Sequence, residues 1–265
     1  MGVVNVTPDS FSDGGQWFEP EAAIAHGLEL LQQGADIVDV GGESTRPGAQ
    51  RPEESEELRR VLPVVEALAS EGARISIDTM RSGVARRALA AGASVLNDVS
   101  GGLADPDMVS LAAEAGVPFI AMHWRGHSGD MQSRAVYDDV IAEVCRELAD
   151  RAQALLAGGV TKENLVLDPG FGFAKLAEHN WSLLRHLDDI VALGYPVLVG
   201  TSRKAFLGHV GRSARDDPCP PLERDAATAA TSLWAALHGA WAVRVHDVVS
   251  TRDALAVFSA IEQAR

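Results

Sequence analysis

Short apolar runs alternate along the chain with longer stretches in which apolar residues recur at helical spacing. Val3, Val4 and Val6 predict a first strand with polar Asn5 near its exit, which breaks into a turn-rich segment closing at Gly14-Gly15. Residues 19–33 read as a helix, with Ile24, Leu28 and Leu31 on one side and Pro20 in its first turn. The same alternation predicts strands at 37–40, 75–78, 95–98, 118–122, 165–168, 196–199 and 242–245. Helices are predicted at 53–70, with Leu58, Val61, Leu62, Val65 and Leu68 as its stripe, and at 81–91, 179–193 and 223–237. Three further helices follow from end signals. Asp105-Pro106 opens one that Gly116 closes, Val140, Val144, Leu148 and Leu155 mark one ending at Gly158-Gly159, and Ser250 with Asp253 forms a capping box. The acidic run 53–57 reads as a solvated first turn favoured by the helix dipole, and Trp234 and Trp241 as packed in or near the core.

Eight strand–helix units result, with a glycine near seven of the helix-to-strand junctions, where a left-handed residue ends a helix. The strand runs are too apolar to have a wet face. The helix-to-strand links are short and the strand-to-helix links vary. This asymmetry predicts an α/β fold, a (β/α)8 TIM barrel of one domain over residues 1–265 with its site at the C-terminal ends of the strands. A doubly wound open sheet is the second reading. The strand exits carry Asn5, the segment 43–46, Asp78, Asn97 with Asp98, Met122 with His123, Asp168, Ser202-Arg203-Lys204, and Arg244 with His246. Arg46, Lys204, Arg244 and His246 could hold a phosphate or diphosphate, and Asp78, Asp168 and Asn97 could pair the donor edge of a heterocycle.

Composition narrows the reading. The 265 residues are 46% hydrophobic and carry a net charge of -14, which argues against non-specific binding to nucleic acid or anionic membranes. No apolar run suits a membrane span, and a first strand beginning at the chain start predicts no signal peptide. Cys145 and Cys219 lack metal spacing and read as free thiols of a reducing compartment. His123 and His127 have the spacing of a helical metal pair but sit in a glycine-containing loop, so no zinc site is expected. Gly170-Phe171-Gly172 lacks the third glycine of a dinucleotide fingerprint.

Taken in order, these segments resemble the dihydropteroate synthase family of the folate pathway. The matching stretches are MGVVNVTPDSFSDGG from Met1, DVGGESTRPG from Asp39, SIDT from Ser76, NDVSGG from Asn97, Met122-His123, LDPGFGFAK from Leu167, Ser202-Arg203-Lys204, and RVHDV from Arg244. They run the length of the chain in family order. The resemblance implies a cytoplasmic transferase, a homodimer and a sulfonamide target, which condenses 6-hydroxymethyl-7,8-dihydropterin pyrophosphate with 4-aminobenzoate. It implies that Asp78, Asn97, Asp168 and Lys204, with Arg244, hold the pterin and that Val99 and Met122 pack on its ring. It implies that Asn5, Arg46, Arg244 and His246 take the pyrophosphate, Asn5 also serving as a ligand of Mg²⁺. Phe11, Thr45, Arg46, Pro47, Phe173, Ser202 and Arg203 would form the aminobenzoate side. Asp78, Asp168, Lys204, Arg244 and His246 would be catalytic, and the loops carrying Phe11 and Arg46 would close over the site.

Two other readings stay open on sequence alone. A folate-dependent methyltransferase domain would share Asp78, Asn97 and Asp168 but would have no need of Arg46, Ser202-Arg203-Lys204 or the Arg244/His246 pair. A catalytically silent pterin-binding module would be expected to have lost part of that set.

Overall fold

Six parallel strands lie side by side in chain order: β1 (Gly2–Asn5), β2 (Val38–Gly41), β3 (Ile75–Asp78), β4 (Val95–Asp98), β5 (Phe119–Met122) and β6 (Leu165–Asp168). Two more, β7 (Leu198–Val199) and β8 (Ala242–Val243), pair with each other. The structure is a computed structural model that describes residues 1–7, 19–44, 51–127, 129–210 and 218–264. A parallel bridge joins Leu167 to Val197 and another joins Gly2 to Val245, so β6 meets β7 and the segment after β8 returns to β1. Val3 N donates to Val245 O at 3.1 Å and Val245 N to Met1 O at 2.9 Å, which closes the sheet. The predicted barrel is the fold, and the open sheet is excluded by this closure.

Strand alternation explains two separate apolar clusters. Val4, Val38, Val40, Ile75, Ile77, Leu96, Phe119, Leu165 and Leu167 face outward and pack beneath the helices. Val95, Ile120, Val166 and Leu198, with Met1 and Ala242, form a plug inside the barrel. The inward positions above that plug are polar.

The described helices are α1 (Pro20–Gln32), α2 (Glu54–Ser70), α3 (Ser82–Ala90), α4 (Met108–Ala115), α5 (Val140–Ala157), α6 (Ala177–Arg185), α7 (Leu187–Val191), α8 (Asp225–Leu237) and α9 (Val248–Gln263). Gly34, Gly72, Gly92, Gly116, Gly159, Gly194 and Gly239 all have positive φ after their helices, as the junction pattern predicts. Several expectations fail for local reasons. The face of α1 is rotated by one residue: Ala23, Gly27 and Leu30 are buried, and Gly27 lets Leu68 approach. The stripe of α2 turns toward Val64 and includes Glu57. Asp105 does not cap α4; its carboxylate accepts from Ser82 N and Asp107 N, and the helix starts two residues later than that turn. The predicted helix over 179–193 is two helices broken at His186. Asp247, not Ser250, caps α9, accepting from Ser250 N at 3.1 Å. Trp234 and Trp241 are 42% and 45% exposed, so they are surface rather than core residues. Trp234 Nε1 donates to Leu184 O, which ties α8 to α6.

Candidate active site

The register sets the floor of the mouth. Asn5, Gly41, Asp78 and Asn97 are successive partners across β1 to β4, so they stand at one level. Gly41 leaves the space between Asn5 and Asp78 clear; a Cβ there would touch Asp78 Cβ at 3.4 Å. Met122 and Asp168 are partners across β5 and β6.

A charged cluster sits on that floor, and its hub is Asp39. Asp39 is fully buried on β2, and its Oδ2 accepts from Arg244 Nε at 2.6 Å and from Asn97 Nδ2 at 3.1 Å. Arg244 Nη2 donates to Asp78 Oδ2 at 2.9 Å. Burial lowers the tendency of Arg244 to carry charge, but Asp39 and Asp78 outweigh it and hold its pKa above the usual value. Burial, followed by repulsion from Asp39, lifts the Asp78 carboxyl well above the usual carboxylate range, against the pull of Arg244. Asp39 Oδ1 has no hydrogen-bond partner. The floor thus gathers two carboxylates and an amide around one guanidinium, and a ligand edge bearing adjacent N–H groups would suit it.

Asp168 and Lys204 form the second wall. Asp168 Oδ1 accepts from Gly170 N at 2.7 Å, and burial raises its carboxyl against the opposing charge of Lys204. Lys204 donates from Nζ to Phe171 O and stands over the Phe173 ring, 4.7 Å from its centroid. Burial pushes the Lys204 ammonium down to about 8, with Asp168 holding it up. Met80, Val99 and Met122 make a buried apolar cluster against which Ala104, Trp124 and Phe173 pack. Polar edge groups below and apolar side chains alongside form a slot suited to a flat heterocycle.

On the far side, Ser202 Oγ accepts from His246 N at 3.1 Å and lies 2.8 Å from His246 Nδ1. His246 Nε2 is buried without a hydrogen-bond partner. Burial, reinforced by Arg203 and Arg244, holds His246 neutral, well below the usual histidine range. His246 therefore stands beside Arg244 as a neutral imidazole. Arg203 is anchored from the other side. It has φ 58, and its guanidinium forms a two-point pair with Asp225 of α8, Nε to Oδ1 and Nη2 to Oδ2, both at 2.7 Å. Phe11, Thr45, Arg46 and Pro47 lie outside the described residues.

Three residues of the site were not legible as such. Asp39 sits in the middle of an apolar strand run, and only its inward register marks it. Glu57 was read as solvated but is fully buried; it accepts from Thr79 Oγ1 at 2.5 Å and pairs with Arg81. Its spacing from Val61, Val64 and Leu68 on the buried stripe was the available signal. Lys175 is 4% exposed, and nothing in its spacing announced a buried lysine.

Comparison with known proteins decides among the chemistries such a slot could serve. The sequence profile of the family described as pterin binding enzyme matches residues 1–246. The dihydropteroate synthase of Mycobacterium leprae is 53% identical over 98% of this chain and 92% of its own length. The chain belongs to the pterin-binding enzymes and, within them, to the dihydropteroate synthase family. The solved Xanthomonas albilineans dihydropteroate synthase with 4-aminobenzoic acid superposes with a TM-score of 0.90, is 46% identical, and is matched over 93% of its chain and all of this one. The same enzyme in complex with 7,8-dihydropteroate gives 0.86 at 43% identity, over 94% of its chain and all of this one. The dihydropteroate synthase resemblance drawn from the motifs is thus correct, and the methyltransferase and silent-module readings have nothing further in their favour.

Proposed function

We propose that this chain condenses 6-hydroxymethyl-7,8-dihydropterin pyrophosphate with 4-aminobenzoate, forming 7,8-dihydropteroate and releasing pyrophosphate. The observation that carries the reading is the buried, acceptor-rich floor of Asp39, Asp78 and Asn97 beside the Asp168–Lys204 wall. The pterin N–H edge pairs with Asp78, Asn97 and Asp168, with Lys204 and Arg244 beside it. Val99 and Met122 pack on its ring.

Cleavage of the pterin methylene–oxygen bond leaves negative charge on pyrophosphate and positive charge on the pterin. Asp168 and Asp78 are buried where the second charge develops; that charge favours their carboxylate forms against burial, so they stabilise the transition state more than the ground state. Arg244 and His246 serve the departing pyrophosphate, joined by Arg46. The arylamine is a weak nucleophile, so bond breaking leads and the path is dissociative. The amine then attacks the methylene carbon and gives up a proton. Phe173 and Ser202 line the aminobenzoate side, with Phe11, Thr45, Arg46 and Pro47 from the two early loops. Arg203 contributes its backbone turn there, its guanidinium being held by Asp225.

Mg²⁺ fits this arrangement as a pyrophosphate-borne ion. It favours few protein oxygens plus phosphate oxygens and water. Among the described residues no group of three or more His, Cys, Asp or Glu could hold a metal. Asn5, level with Asp78 and separated from it by Gly41, is the residue that would hold the ion. When bound, the ion would neutralise charge on the leaving pyrophosphate. We place the protein in the cytoplasm as a homodimer of single-domain subunits; no described helix is long and apolar enough to cross a membrane.

The test is pyrophosphate release with each substrate alone and with both. Release that requires both supports the condensation; none with both present removes it and leaves a binding module.

A further inference from the structure

Five consecutive carbonyls of the loop after β6 each accept from a named side-chain donor. Lys175 Nζ donates to Gly170 O and Phe173 O, both at 3.1 Å. Lys204 Nζ donates to Phe171 O, Gln132 Nε2 to Gly172 O at 3.3 Å, and Tyr137 Oη to Ala174 O at 3.0 Å. The loop is tightly wound: Gly170, Gly172 and Ala174 have φ 69, 75 and 48. A left-handed alanine is a conformation that persists only where the surroundings impose it. The same loop begins at Asp168 and carries Phe173, so its path decides how three site groups face one another.

Lys175 holds this path from behind the site. Its third contact is His123 Nδ1 at 3.0 Å. An ammonium has three protons and no lone pair, so Nδ1 is the acceptor and the His123 ring is neutral, with its hydrogen on Nε2. That hydrogen donates to Glu147 Oε2 at 2.9 Å, and Arg125 Nε donates to the same carboxylate oxygen at 3.0 Å. Lys175 and His123 are 4% and 3% exposed.

We infer that Lys175 is a positioning residue for the condensation, with His123 fixed as the Nε2–H tautomer to receive it. The inference rests on the dihydropteroate synthase reading for the reaction it serves. Lys175 touches no reacting atom. It staples the loop so that Asp168, the Phe173 ring and the Phe171 carbonyl that accepts from Lys204 keep one arrangement. Three acceptors around one nitrogen favour the charged form. Burial works the other way and brings the ammonium down to about 7. Asp168 and Glu147 support its charge, and Lys204 and Arg125 oppose it.

The test replaces Lys175 with Met, which keeps the length and removes the donors. Loosening the loop misplaces the aminobenzoate side, so kcat should fall on the order of 10²-fold. The KM for aminobenzoate should rise about 10-fold, one decade of binding. The affinity for pterin pyrophosphate, in which Asp168 on this loop is one contact beside Asp78, Asn97 and Arg244 on the floor, should fall less, by about 3-fold or 0.7 kcal/mol. A folded K175M with native kcat and KM overturns the inference, as does an equal loss of affinity for both substrates, which marks a general structural role. A second measurement stands if K175M does not fold: ¹⁵N NMR of the native protein should show His123 unprotonated at Nδ1, and a proton there overturns the inference. Failure of the reaction assignment itself would appear as no two-substrate pyrophosphate release by the native enzyme.

Discussion

Asp39→Asn is the sharpest probe of the site floor. It removes one charge from a buried group whose Oδ2 serves both Arg244 and Asn97. Breaking a buried ion pair costs about 3–5 kcal/mol when the partner charge is left alone. Arg244 is not left alone here, because Asp78 still accepts from its Nη2 at 2.9 Å, and the asparagine retains one acceptor oxygen. Asp78 also gains, since the neighbouring like charge that helps to lift its carboxyl is gone. The net cost should therefore lie nearer 2 kcal/mol, about twice an ordinary hydrogen bond and below a fully broken pair. With a urea slope of about 2–3 kcal/mol/M for a chain of this size, the midpoint should fall by about 0.7–1 M. Arg244 would rotate toward Asp78 and narrow the pterin slot, so pterin pyrophosphate affinity by calorimetry should drop about 10–30-fold, or 1.4–2 kcal/mol. A midpoint within about 0.2 M of native together with an unchanged affinity would refute the hub role, since even one lost hydrogen bond exceeds that shift.

Two further outcomes are expected. Gly170→Ala places a Cβ 2.7 Å from His123 O at a residue with φ +69, so it should destabilise by about 3 kcal/mol or more in urea unfolding and slow turnover; a native midpoint would mean that the loop tolerates another path. The second concerns pH. Burial, with the charge of Lys175, depresses His123 from 6.5 to about 4, so between those values the unfolded chain binds a proton that the native state does not. Stability should then fall as pH drops from about 6.5 to about 4, by up to about 3 kcal/mol, and His123→Gln should flatten that slope. Glu147, brought to about 2 by His123 and Arg125 against burial, adds its own loss only below about 4.5. An identical slope in both proteins would remove His123 as the source.

The barrel was readable because its signals are local. Apolar runs bounded by polar exits and glycines with positive φ at helix ends are dictated within a few residues, and β3, β4 and β6 fall on their expected bounds. What failed depends on tertiary partners. The face of α1 is set by Gly27 meeting Leu68, and Asp105 spends its carboxylate on a neighbouring helix terminus instead of its own. Among the site residues, those at strand exits announce themselves by polarity after an apolar run. Asp39 and Lys175 do not, because each is polar only in relation to partners hundreds or tens of positions away in the chain, Arg244 and His123. The motif resemblance places Arg203 and His246 in the site itself. That Asp225 takes the guanidinium of Arg203, and that burial keeps His246 neutral, are properties of the packed molecule.

The central claim is that buried carboxylates stabilise positive charge on the pterin as pyrophosphate leaves. Its most direct test is single-turnover pyrophosphate release by Asp168→Asn with both substrates saturating. The substitution keeps size and one acceptor while removing the charge, and the account predicts a rate lower by at least ~100-fold, about 2.7 kcal/mol of transition-state stabilisation. Pyrophosphate release by the folded variant at a near-native rate would contradict it.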